Sequence, residues 1–227
     1  MNEPPAQFHE AFICDSALPL IMDRLWAAGW RHFGNYFFRY STQESDDGSE
    51  QRITPLRIRV ADFRPSKSQR RVWMGNSGLR HEIAPVRMDD ELRSLFQKHK
   101  TRFKSNVPES IEDFLGDTPE RGPCVSRMLR VFDGERLLAA SFFDVGAKAA
   151  SSVYAMFDPT ESNRRLGTYT LLLEVDFCRM HGLEHLYTGY ATQEHSAYDY
   201  KKLFRPSEWL EWGAGWKILG DGSSVTI

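Results

Sequence analysis

The chain has 227 residues, 41% of them hydrophobic, a formal net charge of −2 and three cysteines. That length and apolar share suffice for one large domain or two small lobes. No apolar run approaches the ~20 residues of a membrane-spanning helix, and the opening Met1-Asn-Glu-Pro-Pro lacks the basic and then apolar pattern of a signal peptide. Cys14, Cys124 and Cys178 are far apart and odd in number, which argues against a disulfide framework and for a reducing, cytoplasmic setting.

In chain order, Ser16 is placed to cap a first helix, whose Leu18, Ile21, Met22, Leu25 and Trp26 recur at helical spacing and stop before Gly29. Trp30 to Tyr40 is aromatic, is broken at Gly34 and reads as one strand or a bent pair. Ser41 to Gln51 is a polar, acidic loop. Leu56, Ile58 and Val60 alternate with Arg57 and Arg59, the pattern of a half-buried strand. A helix capped by Ser66 or Ser68 is expected to follow.

The clearest helix is Asp89 to Phe103, with acids in its first turn and Lys and Arg in its last, matching the macrodipole. Pro119-Glu-Arg-Gly-Pro123 is the expected boundary between an N-terminal lobe (1–118) and a C-terminal lobe (119–227). Val125 to Phe132 and Leu137 to Val145 then flank Asp133-Gly134, a hairpin signature. The charge is uneven: from Arg52 to Lys104 there are 14 Lys and Arg against 5 Asp and Glu, a net of +9 in an otherwise acidic chain. That is either a polyanion site or a solvated face.

The stretch Ser151 to Trp216 is the most telling. An apolar run (Ser151 to Phe157) is followed by a polar turn, then Arg164-Arg165-Leu166-Gly167-Thr168-Tyr169. A helical pattern carries Leu171, Leu172, Val175 and Cys178 on one face, Gly182 is placed to cap it, and a second strand spans His185 to Tyr190. A helix starting at such a loop aims its free N–H groups and positive dipole end at a phosphate or a developing negative charge.

Arg164 to Tyr169 resembles the R-x-x-G-x-A/G loop of the GNAT acyltransferase superfamily. Ser152-Val-Tyr154 with Asp158-Pro159, Tyr187-Thr-Gly189-Tyr190, Tyr200-Lys201 and Phe204-Arg-Pro206-Ser-Glu208 together resemble the C-terminal half of the aminoacyl-tRNA–protein transferases, the arginyl- and leucyl-transferases of the N-end rule pathway. Phe63-Arg-Pro-Ser66-Lys-Ser-Gln69-Arg70-Arg71-Val72 resembles a second block of that family. The resemblance implies an α+β, GNAT-like double lobe with mixed sheets and flanking helices. It implies transfer of leucine or arginine from its tRNA to the α-amine of a protein starting with Asp or Glu, with a lean toward the bacterial leucyl branch and no soluble cofactor.

Such a reaction asks the protein to align two large substrates, to stabilise an oxyanion and to accept the proton of an amine whose free pKa is roughly 7.7–8.0. For the tRNA end, Arg164, Arg165, Gly167 and Tyr169 are set at the loop; the bland alternative is a surface turn. Ser66, Gln69, Arg70 and Arg71 suit a carboxylate or phosphate.

Tyr154, Tyr190 and Tyr200 fit either oxyanion and adenine contacts or core packing. Lys201 and Arg205 fit an acidic acceptor or RNA, or else a solvated face. Asp144, Glu174 and Asp176 are the acids available as base, or as caps and surface groups. Tyr154, Asp144 and Tyr190 are the residues taken as catalytic.

His9, His32, His81, His99, His181, His185 and His195 show no ligand spacing. The paired cysteines that bind an iron–sulfur cluster in arginyl-transferases have no match here, so no metal site is expected. Ala197-Tyr198 stands where the family tends to have Lys-Met. Two alternatives stay open: an acyl-CoA-dependent N-acyltransferase using the same loop, and a non-catalytic relative that binds tRNA or N-termini.

Overall fold

The structure, a computed structural model, describes residues 7–44, 48–104, 106–192 and 199–219. The Ala197-Tyr198 departure and His195 lie outside these residues. The fold is α+β. Strands β1 (His9–Ile13), β2 (Arg31–Phe33) and β3 (Tyr36–Tyr40) make a small antiparallel sheet in the order β1-β3-β2, beside helix α1 (Pro19–Ala27).

The main sheet comprises β4 (Thr42–Glu44), β5 (Glu50–Arg59), β6 (Arg80–Pro85), β7 (Val125–Asp133), β8 (Arg136–Val145), β9 (Ala149–Phe157), β10 (His185–Thr192), β11 (Ser207–Glu211) and β12 (Gly215–Ile218). Its order is β12-β11-β5-β10-β9-β8-β7-β6, with β4 paired to β5. The helices packed with it are α2 (Lys67–Gly75), α3 (Asp90–Lys100), the short α4 (Glu112–Leu115) and α5 (Leu166–Met180).

Period-two alternation along the central strands produces two cores. Leu129, Val131, Phe143 and Ala150 join Leu166, Tyr169, Leu172 and Val175 of α5 and Val72 of α2 on one face. Met128, Phe142 and Met156 join Leu92, Leu95 and Phe96 of α3 on the other. Each fully buried leucine or phenylalanine contributes roughly 1.5–3 kcal/mol. A third cluster ties Met22 and Trp26 of α1 to Phe37 of the small sheet and Tyr187 of β10.

The capping expectations divide. Ser66 accepts from the Gln69 N–H while the Gln69 side chain returns to the Ser66 N–H, a full capping box on α2. Asp89 caps α3 through the Leu92 N–H. Ser16 does not cap α1. The helix begins at Pro19, whose fixed φ suits the first helical position, and Leu18 precedes it with no side-chain cap. Gly182 follows α5 at φ +67°, the left-handed backbone that ends helices.

β9 and β10 are parallel and α5 connects them. They pair only from His185 with Ala149 to Tyr187 with Ser151. Beyond that point β10 shifts register against β5 between Tyr187 and Gly189, and β8 and β9 shift between Phe142 and Phe143. The two parallel strands therefore part at their C-terminal ends, where open α/β arrangements take their ligands.

Candidate functional site: the wedge between two parallel strands

Where β9 and β10 separate, their ladder hydrogen bonds are missing. Arg31 of β2 fills part of the gap. One of its guanidinium nitrogens donates to the carbonyls of Ser152 (3.0 Å) and Val153 (3.2 Å), and its plane lies 5.7 Å from the Tyr190 ring. Gly189 allows this approach: a Cβ there would sit 1.7 Å from an Arg31 nitrogen, and its φ is +98°. The same built Cβ lies 3.4 Å from the Lys201 ammonium, so both cations border one glycine.

Glu174, on the third turn of α5, completes the group. It is 2% exposed and accepts from the Ser152 hydroxyl. Burial pushes its carboxyl up to about 7, against the pull of the Ser152 hydrogen bond and the charge of Lys201. Burial, reinforced by Arg31, brings Lys201 down to about 7, with Glu174 opposing. Arg31 and Lys201 keep partial openings to solvent. Two cations and a buried carboxyl thus lie together beside a peptide edge.

The first turn of α5 forms the rim. Arg165, its N-cap, has left-handed φ/ψ and donates to Ser68 Oγ at 2.8 Å. Arg164 is held by Glu161 (2.9 Å) and Asp133 (3.0 Å). The Tyr200 hydroxyl lies near Gly167, 3.8 Å from where its Cβ would be. Exposed Arg70 and Arg71 project from α2, which packs against α5; Arg70 donates to the Pro65 carbonyl.

Tyr169 is buried, with its hydroxyl 3.4 Å from the Asn76 carbonyl. Ser66 and Gln69 are engaged in the α2 cap, and Gln69 also donates to the Leu203 carbonyl. Arg205 is half-buried just before β11.

The three residues taken as catalytic lie in different settings. Tyr190 donates to the Gly29 carbonyl at 2.7 Å and lines the wedge with its ring. Tyr154 stacks on Phe114, ring centroids 4.0 Å apart, in the core under α3. Asp144 is buried against His32, 2.8 Å away, and Ser126. The other His32 nitrogen meets the Gly34 carbonyl. Burial opposes the imidazolium, but the charge of Asp144 and its hydrogen bond favour it, and the His32 pKa is raised.

Cys124 approaches His32 at 3.8 Å. His32, Cys124 and Asp144 bring three donor atoms within 4.8 Å of one another, a grouping that spacing in the sequence cannot show. An iron–sulfur cluster held by four thiolates does not fit: the chain has three cysteines, and Cys178 lies in the α5 core.

Arg31 is not legible as a site residue in the sequence. Its only signal is that it is a lone strong cation in the aromatic stretch Trp30 to Phe33. Glu174 is one of three acids the sequence offers as a base, but its burial against Ser152 is a tertiary fact.

Comparison with known proteins adds an independent line. Residues 91–211 match the family profile described as arginine-tRNA-protein transferase, C terminus, and residues 5–71 match its N-terminal counterpart. An aspartate/glutamate leucyltransferase of Stenotrophomonas maltophilia is 32% identical over 179 residues, covering 75% of this chain and 71% of that protein. One from Nitrosococcus oceani is 34% identical, covering 73% and 70%. Among solved structures, L-PGS from Bacillus licheniformis superimposes with a TM-score of 0.52 at 11% identity, over 74% of this chain and 60% of that one, a likeness of fold alone.

Proposed function

Because the chain belongs to the arginine-tRNA–protein transferase family and is an aminoacyl-tRNA–protein transferase, we propose that it moves leucine from Leu-tRNA to the α-amine of proteins beginning with Asp or Glu. The transfer is a cytoplasmic step that marks proteins for N-end rule degradation. The names of its relatives, aspartate/glutamate leucyltransferases, support this choice over arginine.

The observation that carries the chemistry is the wedge, where Ser152 and Lys201 face Glu174. The aminoacyl ester is already activated, so the protein's work is alignment and proton removal. In this reading the acceptor's α-amine enters beside Ser152. Glu174, ionised above about 7, takes the proton as the amine attacks the ester carbonyl. The C–N bond forms, the C–O bond to the ribose breaks, and the proton reaches the departing ribose oxygen.

The acceptor end of the tRNA lies along the rim. There the free N–H groups and positive dipole end of α5 face the ligand, and Arg70, Arg71 and Arg165 supply charge at the surface. The test is transfer of labelled leucine and arginine from their tRNAs to peptides that differ only in the first residue. Leucine transfer to Asp- and Glu-initiated peptides is expected; arginine transfer alone, or none, refutes the reading.

A further inference from the structure

Arg31 has no carboxylate of a described residue within ion-pair distance; it donates to two backbone carbonyls and lies against an aromatic ring. Lys201 lies beside it across Gly189. Glu174 is the acid beside Lys201 and is committed to Ser152; the acid whose charge reaches Arg31 is Asp144, which is engaged with His32 and Ser126.

A guanidinium in such a place costs desolvation unless an anion joins it. Its unused N–H groups form a planar fork that matches a carboxylate. Arg31 packs directly against Gly189, where any side chain would collide with it.

Which anion fits follows from what Arg31 and Glu174 share. Both are bonded to Ser152, one to its carbonyl and one to its hydroxyl. An amine delivered to Glu174 is therefore within one residue's width of Arg31. In an N-terminal Asp or Glu, the α-amine and the side-chain carboxylate are separated by that order of distance. A tRNA phosphate is better met at the other side, where Arg165, Arg70 and Arg71 are exposed.

We infer that Arg31, with Lys201 beside it, is the acceptor-specificity site: it binds the side-chain carboxylate of the acceptor's first residue and holds the α-amine against Glu174. This rests on the transferase reading above. It names Arg31, from the small N-terminal sheet, as the residue that makes an acidic first residue preferred.

The test compares Asp- and Asn-initiated peptides, otherwise identical, in wild type, Arg31→Gln and Arg31→Lys. Two readouts are taken: kcat/KM for leucine transfer, and equilibrium binding of each peptide to tRNA-free protein. Loss of a charge-assisted hydrogen bond is expected to lower the Asp/Asn ratio about ten- to a hundredfold in Arg31→Gln. Arg31→Lys, which keeps the charge but not the fork, should lower it part of the way.

If wild type transfers nothing yet binds the Asp peptide tighter, and Arg31→Gln abolishes the difference, the assignment of Arg31 stands and the transferase reading falls. An Asp/Asn ratio unchanged in the variants, by either readout, overturns the assignment. Should Arg31→Gln fail to fold, the lysine variant alone decides, since an unchanged ratio there denies the fork its role.

Discussion

Two groups of positive side chains lie within reach of α5, and they differ in what surrounds them. At the rim, Arg70, Arg71 and Arg165 are exposed on α2 and at the N-cap of α5. In the wedge, Arg31 and Lys201 are largely enclosed beside a buried carboxyl. Charge in water is screened within about 10 Å at 0.1 M salt and acts by number more than by geometry. Enclosed charge is screened much less and acts through the few atoms it touches.

The +9 segment of the sequence speaks mainly for the first kind. Much of it is spent in ion pairs: Arg57 with Glu208, Arg59 with Asp62, Arg80 with Glu82, Arg93 with Glu112. The residue that best suits an acceptor carboxylate, Arg31, lies outside that segment.

The strongest way to break this comparison is at the acid. Glu174→Gln keeps the shape but removes the proton acceptor, and transfer is expected to fall by about 10²–10⁴-fold. In wild type the rate should rise as pH passes about 7, where Glu174 ionises. The variant should keep only the later rise from the acceptor amine itself. Single-turnover rates from pH 5.5 to 8.5 decide it; an identical profile in the variant assigns the proton elsewhere.

Next in size is Gly189→Ala. Its methyl group would collide with Arg31, and its φ of +98° is strained for any L side chain. An ångström-scale shift of the wedge should cost on the order of a hundredfold in kcat/KM with Asp acceptors. The loss should be smaller with Asn acceptors, because the displaced group is the one that reads acidity. Equal losses on both would separate Gly189 from specificity.

The rim is probed by Arg70→Glu with Arg71→Glu. Affinity for tRNA should fall by about tenfold at low salt, and the slope of log K against log salt should flatten by roughly 1.4–1.8, since two phosphate contacts release no counterions. The Asp/Asn ratio should hold. A changed ratio with an unchanged salt slope would exchange the roles of the two regions.

The smallest effect sharpens the boundary between binding and support. Ser66→Ala removes the α2 cap and should cost about 1 kcal/mol, a Tm lower by roughly 2–4 °C. Affinity for tRNA should stay within about twofold if the hydroxyl serves only the cap, as its bond to Gln69 indicates.

The sequence made some of this legible and hid the rest for identifiable reasons. The strand–loop–helix–strand unit of β9, α5 and β10 could be read because apolar periodicity changes from two to 3.6 and back. The cap of α2 could be narrowed to Ser66 or Ser68, and the acids opening α3 could be read, because such signals are local. Strand β6 escaped notice: it opens Arg80-His81-Glu82 at the sheet edge, where polar residues carry no alternation. The same holds for the short, half-exposed β12.

The wedge could not be read, because it is made by a strand pairing that stops. Nothing local in Ser152 or Gly189 says that β9 and β10 cease to bond there. Nor does the sequence order of Arg31 and Ser152, 121 residues apart, say that they meet.

Beyond its short pairing with β4 at Glu50 to Arg52, strand β5 sits between β10 and β11, which come more than a hundred residues later in the chain. During synthesis, residues 54–59 must therefore wait without these partners until the last quarter of the polypeptide has left the ribosome. Long-range pairing of this kind is slow, and an open edge invites foreign strands. Fragments 1–118 and 119–227 made separately should each be insoluble or unfolded, yet recover transfer when synthesised together, because each holds the seam that the other completes.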